Sequence, residues 1–153
     1  MDDKNRMPSE VVRGVTEHIT LYLEDPERAH IWDPAVIGVP GGPVQTLLLR
    51  STGRRSGQPR YAALQYFRPD GPYVVVASRG GAPDHPTWYL NLLDTPDCEI
   101  QVAGFHAAAI ARTARGEERA RLWDLISAEQ PAYRGYQAKT AREIPVVVLD
   151  LKA

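Results

Sequence analysis

The chain has 153 residues, 43% apolar and 24% charged, the balance of one ordinary globular domain. Its formal net charge of -1 excludes a globally basic nucleic-acid binder, and its single cysteine, Cys98, excludes an intrachain disulfide framework or a multi-cysteine metal site. No apolar run approaches the ~20 residues that cross a bilayer, and MDDKNRMPSE lacks the apolar core of a secretory signal, so a reducing, cytoplasmic setting fits.

Residues 1–8 read as a loose N-terminus and 9–153 as one domain. A helix is expected over 9–30, with Ser9 as N-cap and Pro26 limiting or kinking it. Val12, Val15, Ile19 and Tyr22 recur at helical spacing, and Val11 and Leu23 widen the stripe. Residues 33–43 hold three prolines and three glycines and read as loop. Strands are expected over 44–51, 61–68 and 73–78. The first two flank TGRRSGQP, and Asp70-Gly71 makes the second and third a hairpin. Pro86 suits the first turn of a short helix, TWYLNLL, which Pro96 stops. Residues 98–102 and 106–112 read as a hairpin around Ala103-Gly104. GEERARLWDLISAEQ reads as a helix ended by Pro131, YRGYQAKT as turn, and 144–151 as a last strand. Helices set among mostly antiparallel strands indicate an α+β fold on a closed or half-closed barrel.

Three segments carry candidate chemistry. In RSTGRRSGQPR, Arg50, Arg54, Arg55 and Arg60 cluster with no acid among them. Gly53 and Gly57 allow a tight turn, and the forked guanidinium donors suit phosphate or carboxylate oxygens. The loop suits a small polyanion, the alternative being a solvated hairpin tip. It is not a Walker loop, because the lysine and its glycine spacing are missing. In ASRGGAPDHPTWYLN, a buried strand ends at Ser78 and runs into Gly80 and Gly81, where backbone can approach a flat ligand closely. Ser78 can donate a hydrogen bond, Arg79 adds a cation, Asn91 pairs donor with acceptor, and Trp88 is either an aromatic wall or core. In PAYRGY, Tyr133 and Tyr136 either line a pocket mouth or pack on the barrel. His18, His30, His85 and His106 have no metal-ligand spacing, no GxSxG elbow exists, and Cys98 has no evident catalytic partner. Anion and flat-ligand loops without a self-sufficient catalytic group suggest an organic cofactor that carries the chemistry.

At LLLRSTGRRSGQPR, YFRPDG, VVVASRGGAPDHPTWYLNLL, GEERARLW and YQAKTAREIPVVVL the chain resembles the deazaflavin-dependent nitroreductase family, class A of the flavin/deazaflavin oxidoreductases, best known from actinobacteria. The resemblance spans 47–149. It implies a split β-barrel that binds coenzyme F420, a deazaflavin with a phospholactyl-oligoglutamate tail. It also implies hydride transfer from the reduced cofactor, F420H2, to a quinone, an enone or an unsaturated lactone such as a coumarin. The implied tail site is Arg54, Arg55, Ser56 and Arg60, and the ring site is Ala77, Ser78, Arg79, Trp88, Asn91 and Tyr136. Ser78 and Tyr133 are the implied catalytic donors, and Gln65, Gln130 and Tyr133 the substrate side. Lysine often stands in the family where this chain has Arg55, and the nitroreductase has tyrosines in place of Gln65 and Gln130, which points to a shifted substrate preference. Two alternatives stand beside this reading: an FMN enzyme on the same barrel, and a deazaflavin or lipid carrier without turnover. The N-terminal helix is expected to cap the pocket, and its mixed-charge face of Arg13, Glu17 and Glu24 argues against more than weak peripheral membrane contact. The barrel class includes both monomers and homodimers.

Overall fold

The structure, a computed structural model, describes residues 7–153, so most of the expected loose N-terminus lies outside the described residues. Helix α1 (Ser9–Glu24) has Pro8, not Ser9, at its N-cap, and no side chain caps it. Pro26 ends it as a proline should: Asp25 leaves the helical region, and Pro26 opens a separate short helix, α2 (Pro26–Ala29). The expected 9–30 helix is therefore two helices. The expected loop that follows is entered by an unforeseen strand, β1 (Ile31–Trp32), and contains one 3-10 turn at Pro34–Ile37.

The remaining strands are β2 (Val44–Thr52), β3 (Pro59–Gln65), β4 (Tyr73–Val76), β5 (Asp97–Val102), β6 (Phe105–Thr113) and β7 (Val146–Leu151). All pairings are antiparallel and run β3-β2-β5-β6-β7-β4, with β1 on the start of β2. The β2–β3 hairpin closes around 53–58 and the β5–β6 hairpin around Ala103-Gly104, as expected. The hairpin expected across Asp70-Gly71 is reduced to a single bridge, Phe67–Val74, while the other edge of β4 pairs along its length with β7. That bridge brings the two ends of the sheet together, so the fold is an α+β split barrel.

Side-chain alternation sets what β4 and β7 bury on each face. Val75, Val147 and Leu149 point into the barrel with Leu47, Leu49 and Ile100, while Val74, Val76, Val146 and Val148 point outward against Leu122 and Ile126. Strands apolar on both faces need cover on both sides, and helix α4 (Gly116–Glu129) supplies the outer layer. YRGYQAKT, expected as turn, folds as helix α5 (Ala132–Ala138). Tyr133 and Tyr136, three apart, share a face that packs against Phe67 and Trp123, and that burial outweighs the poor helix propensity of Gly135. Pro86 is the N-cap of helix α3 (Thr87–Asp94), one residue before its first turn. Tyr22, fully buried, pins α1 to the barrel: its hydroxyl donates to Thr46 O (2.6 Å) and accepts from Ala103 N (3.2 Å).

Candidate active site

Between α1 and the barrel lies a cavity of about 870 Å³. Its lid is apolar: Val11, Val15 and Ile19 from α1, and Ile37 from the 3-10 turn. Gly14 makes this contact possible, since a Cβ there would lie 2.6 Å from Ile37 Cγ2. Val12, on the same predicted stripe, is instead 51% exposed. His18 stacks on Trp32 at 4.3 Å, and its Nε2 donates to Ala29 O (3.0 Å). Burial holds this imidazole below its usual pKa, so it packs as the neutral form.

One wall is β3, whose residues 61–65 line the cavity. The opposite wall is the turn after β4. Arg79, Gly80 and Gly81 all take positive φ, at 46°, 62° and 80°. For Arg79 this is a strained conformation of the kind concentrated at ligand sites. Gly81 is required twice over, since a Cβ there would also meet the Tyr136 carbonyl oxygen at 2.5 Å. Trp88, Tyr133 and Tyr136 complete the back. Burial raises the pKa of both tyrosines, most for Tyr133, which therefore keeps its phenolic proton. Gln130 Nε2 donates to Gln65 Oε1 (3.1 Å), tying β3 to the junction of α4 and α5 inside the cavity.

At the β3 end, beyond Tyr61, stands the arginine loop. Gly53 N donates to Gln58 O and Gly57 N to Gly53 O, both at 2.8 Å, while Ser56 Oγ accepts from Gln58 N and from Arg60. Among the described residues, Arg54, Arg55 and Arg60 form no ion pair. Arg50, by contrast, is paired with Glu99, Arg112 with Glu118 and Asp150, and Arg121 with Asp70. The loop is therefore a patch of uncompensated positive charge in a slightly acidic chain.

The structure brings together most, not all, of the expected site residues. Gln65, Ser78, Arg79, Trp88, Gln130, Tyr133 and Tyr136 line the cavity. On the exposed loop that leads into β3, next in the chain to Tyr61, Arg54, Arg55, Ser56 and Arg60 stand outside the cavity lining. Ala77 and Asn91 do not reach it. Ala77 is core, and Asn91, 1% exposed, accepts from Arg54 N through Oδ1 (3.1 Å), leaving Nδ2 buried without a partner. Asn91 thus stands under the arginine loop, outside the cavity lining. Sequence reading missed the lid residues His18, Trp32 and Ile37, and it missed Arg142, which holds the 77–82 turn from behind. Only a lone cation just ahead of the apolar run IPVVVL hinted at Arg142. Cys98 is buried with its pKa pushed up to about 11 and faces the barrel core, so it is an inert thiol. Among the described residues, no His, Cys, Asp or Glu cluster could hold a metal and no helix is long and apolar enough to cross a membrane.

Comparison with known proteins adds identity to this geometry. The family model described as F420H(2)-dependent quinone reductase matches residues 29–150. A Mycobacterium tuberculosis (strain ATCC 25618 / H37Rv) protein named as an F420H(2)-dependent quinone reductase is 41% identical over 114 residues, covering 72% of this chain and 76% of that protein. A solved structure described as an F420-H2 dependent reductase (FDR-A) superposes with a TM-score of 0.63 at 39% identity, covering 69% of this chain and 93% of its own. Another, described as a domain-swapped dimer, superposes with a TM-score of 0.66 at 34% identity and covers 94% of this chain and 99% of its own.

Proposed function

The chain belongs to the F420H(2)-dependent quinone reductase family, and from that premise we propose that it reduces quinones, and with them enones and unsaturated lactones such as coumarins, in the cavity beneath α1. When bound, reduced coenzyme F420 supplies hydride from C5 of its deazaflavin ring. The residues present fit that group. Its phosphate and glutamates form a polyanion, and Arg54, Arg55 and Arg60 form an unpaired cationic cluster of forked donors, with Ser56 ordering Arg60. Its ring is flat, and Gly80 and Gly81 leave the wall of the cavity free of side-chain bulk, with Trp88 and Tyr136 at its margins. Asn91 supports this site from below by holding the Arg54 backbone, and Ala77 supports it by anchoring the end of β4.

Reduction of a conjugated carbonyl places negative charge on an oxygen. A buried phenol that keeps its proton is suited to donate to that oxygen, so Tyr133 is assigned this role, with Ser78 as a second donor. Gln65 and Gln130, bonded to each other in the cavity lining, keep further amide N–H and C=O capacity for an acceptor. The apolar lid of α1 positions the acceptor and limits water. The observation that carries the reading is an uncompensated arginine loop leading directly into β3, the strand that lines a cavity together with a glycine turn. Purified protein mixed with F420H2 and menadione, an enone or a coumarin tests it. Protein-dependent reappearance of oxidised-cofactor absorbance is expected, menadione being the fastest. Cofactor binding without oxidation by any of the three would replace the reductase with a carrier.

A further inference from the structure

Arg142 lies just ahead of β7 and does not line the cavity. Its guanidinium donates from Nε to Ala82 O (2.9 Å), from Nη1 to Ala77 O (3.2 Å) and from Nη2 to Ser78 O (2.7 Å). Nη1 also stands 3.1 Å from His85 Nδ1. Arginine cannot accept, so His85 Nδ1 is the unprotonated nitrogen and this imidazole is neutral with its proton on Nε2. Burial and the charge of Arg142 both hold His85 below its usual pKa, in keeping with that arrangement.

The three carbonyls mark the two ends of one turn. Ala77 and Ser78 are where β4 runs out, and Ala82 is where the 3-10 turn closes. Between them stand the three successive residues of positive φ, including the non-glycine Arg79. A left-handed arginine persists only where its surroundings over-determine it. On the cavity side the turn presents Ser78, Arg79, Gly80 and Gly81. On the other side it has Arg142 and the backbone of Tyr136. We propose that Arg142 is a positioning residue for the reductase reaction: it acts through the 77–82 turn, fixing the backbone wall against which the deazaflavin ring rests. The proposal rests on the functional reading above and adds to it a residue from a distant segment of the chain.

Two variants test it. Arg142→Lys keeps the charge and loses the planar fork; Arg142→Ala loses both. Each is compared with wild type by fluorescence titration of F420, by kcat and KM for menadione with F420H2, and by amide hydrogen exchange of the cofactor-free protein. Arg142→Lys is expected to weaken F420 binding about tenfold and Arg142→Ala more, with the menadione KM within about twofold of wild type. Exchange should accelerate across 77–85 while the β5–β6 hairpin stays protected, and millimolar guanidinium ion should restore part of the binding lost in Arg142→Ala. An arginine with a merely structural role would lower the thermal midpoint and leave F420 affinity unchanged. That result overturns the proposal, and Arg142→Lys alone decides if the alanine variant does not fold. A wild-type protein that neither binds F420 nor oxidises F420H2 would instead overturn the functional reading, while the exchange data would still report whether Arg142 holds the turn.

Discussion

The arginine loop and the turn after β4 are held by opposite means. The arginine loop is closed by its own atoms, through the Gly53–Gln58 and Gly57–Gly53 backbone bonds and Ser56 Oγ, with Asn91 steadying it from α3. Among the described residues, its arginines have no ion-pair partner. The 77–82 turn is closed from outside, by Arg142 and the backbone of Tyr136, and it presents mostly backbone. The contrast follows from what each has to recognise. Charge acts over several ångströms and tolerates motion, so a polyanion site can sit on an exposed hairpin tip. A surface for a flat ring works only if it stays in place, so it needs a remote clamp.

Substitutions at the clamped turn should cost most. Gly81→Ala places a Cβ against the Tyr136 carbonyl at a φ of 80°, so F420 affinity should fall by about a hundredfold or more and the thermal midpoint should drop. Gly80→Ala has open space around its new Cβ and only the left-handed backbone penalty, about 1–2 kcal/mol, so titration should find a visibly smaller loss. Equal losses at the two glycines would break the claim that close packing against α5 matters. At the free loop, Arg55→Ala with Arg60→Ala should weaken F420 binding by about ten- to a hundredfold. It should also flatten the salt dependence of binding and change kcat at saturating cofactor much less. Unchanged affinity by fluorescence titration would remove the tail-cradle assignment. Tyr133→Phe belongs to neither loop: kcat with menadione should fall about tenfold while F420 affinity stays within about twofold. Full activity would take Tyr133 out of the chemistry.

The smallest effect concerns the lid. His18 has a folded pKa below its unfolded value, so its neutral form contributes stability that is complete above the unfolded pKa of about 6.5. That contribution is lost as pH falls through the lowered folded value. The thermal midpoint of wild type should therefore decline on acidification through that range, and less steeply in His18→Gln. Parallel curves would show that the His18–Trp32 stack does not couple the lid to pH.

The same contrast explains how far the sequence could be read. A cluster of arginines is visible in one dimension, because charge density needs no fold to be noticed, and the loop stands where RSTGRRSGQPR suggests. The glycine turn is half visible: Gly80 and Gly81 announce it, but the left-handed Arg79 follows from tertiary forces. Arg142 is invisible, since its partners lie 57 to 65 residues away and a single arginine carries no pattern. Asn91 shows the same limit, its polarity legible and its direction not. The barrel strands are legible by their apolar runs, but the partner of β4 is not. Asp70-Gly71 argues locally for a hairpin, which survives as one bridge, while the pairing of the other edge of β4 with β7 joins segments about 75 residues apart and has no local signal. α5 was obscured by Gly135 because its two tyrosines find their partners only in the folded core.

The division of labour between a charge-reading loop and a shape-reading turn is tested most directly by titrating wild type and the Arg55→Ala, Arg60→Ala double variant with F420 and with its tail-free deazaflavin riboside. Wild type is expected to bind F420 far more tightly than the riboside, and the double variant to bind the riboside as wild type does while losing most of its preference for F420. Equal affinity of wild type for the two ligands, or loss of riboside binding in the double variant, would contradict it.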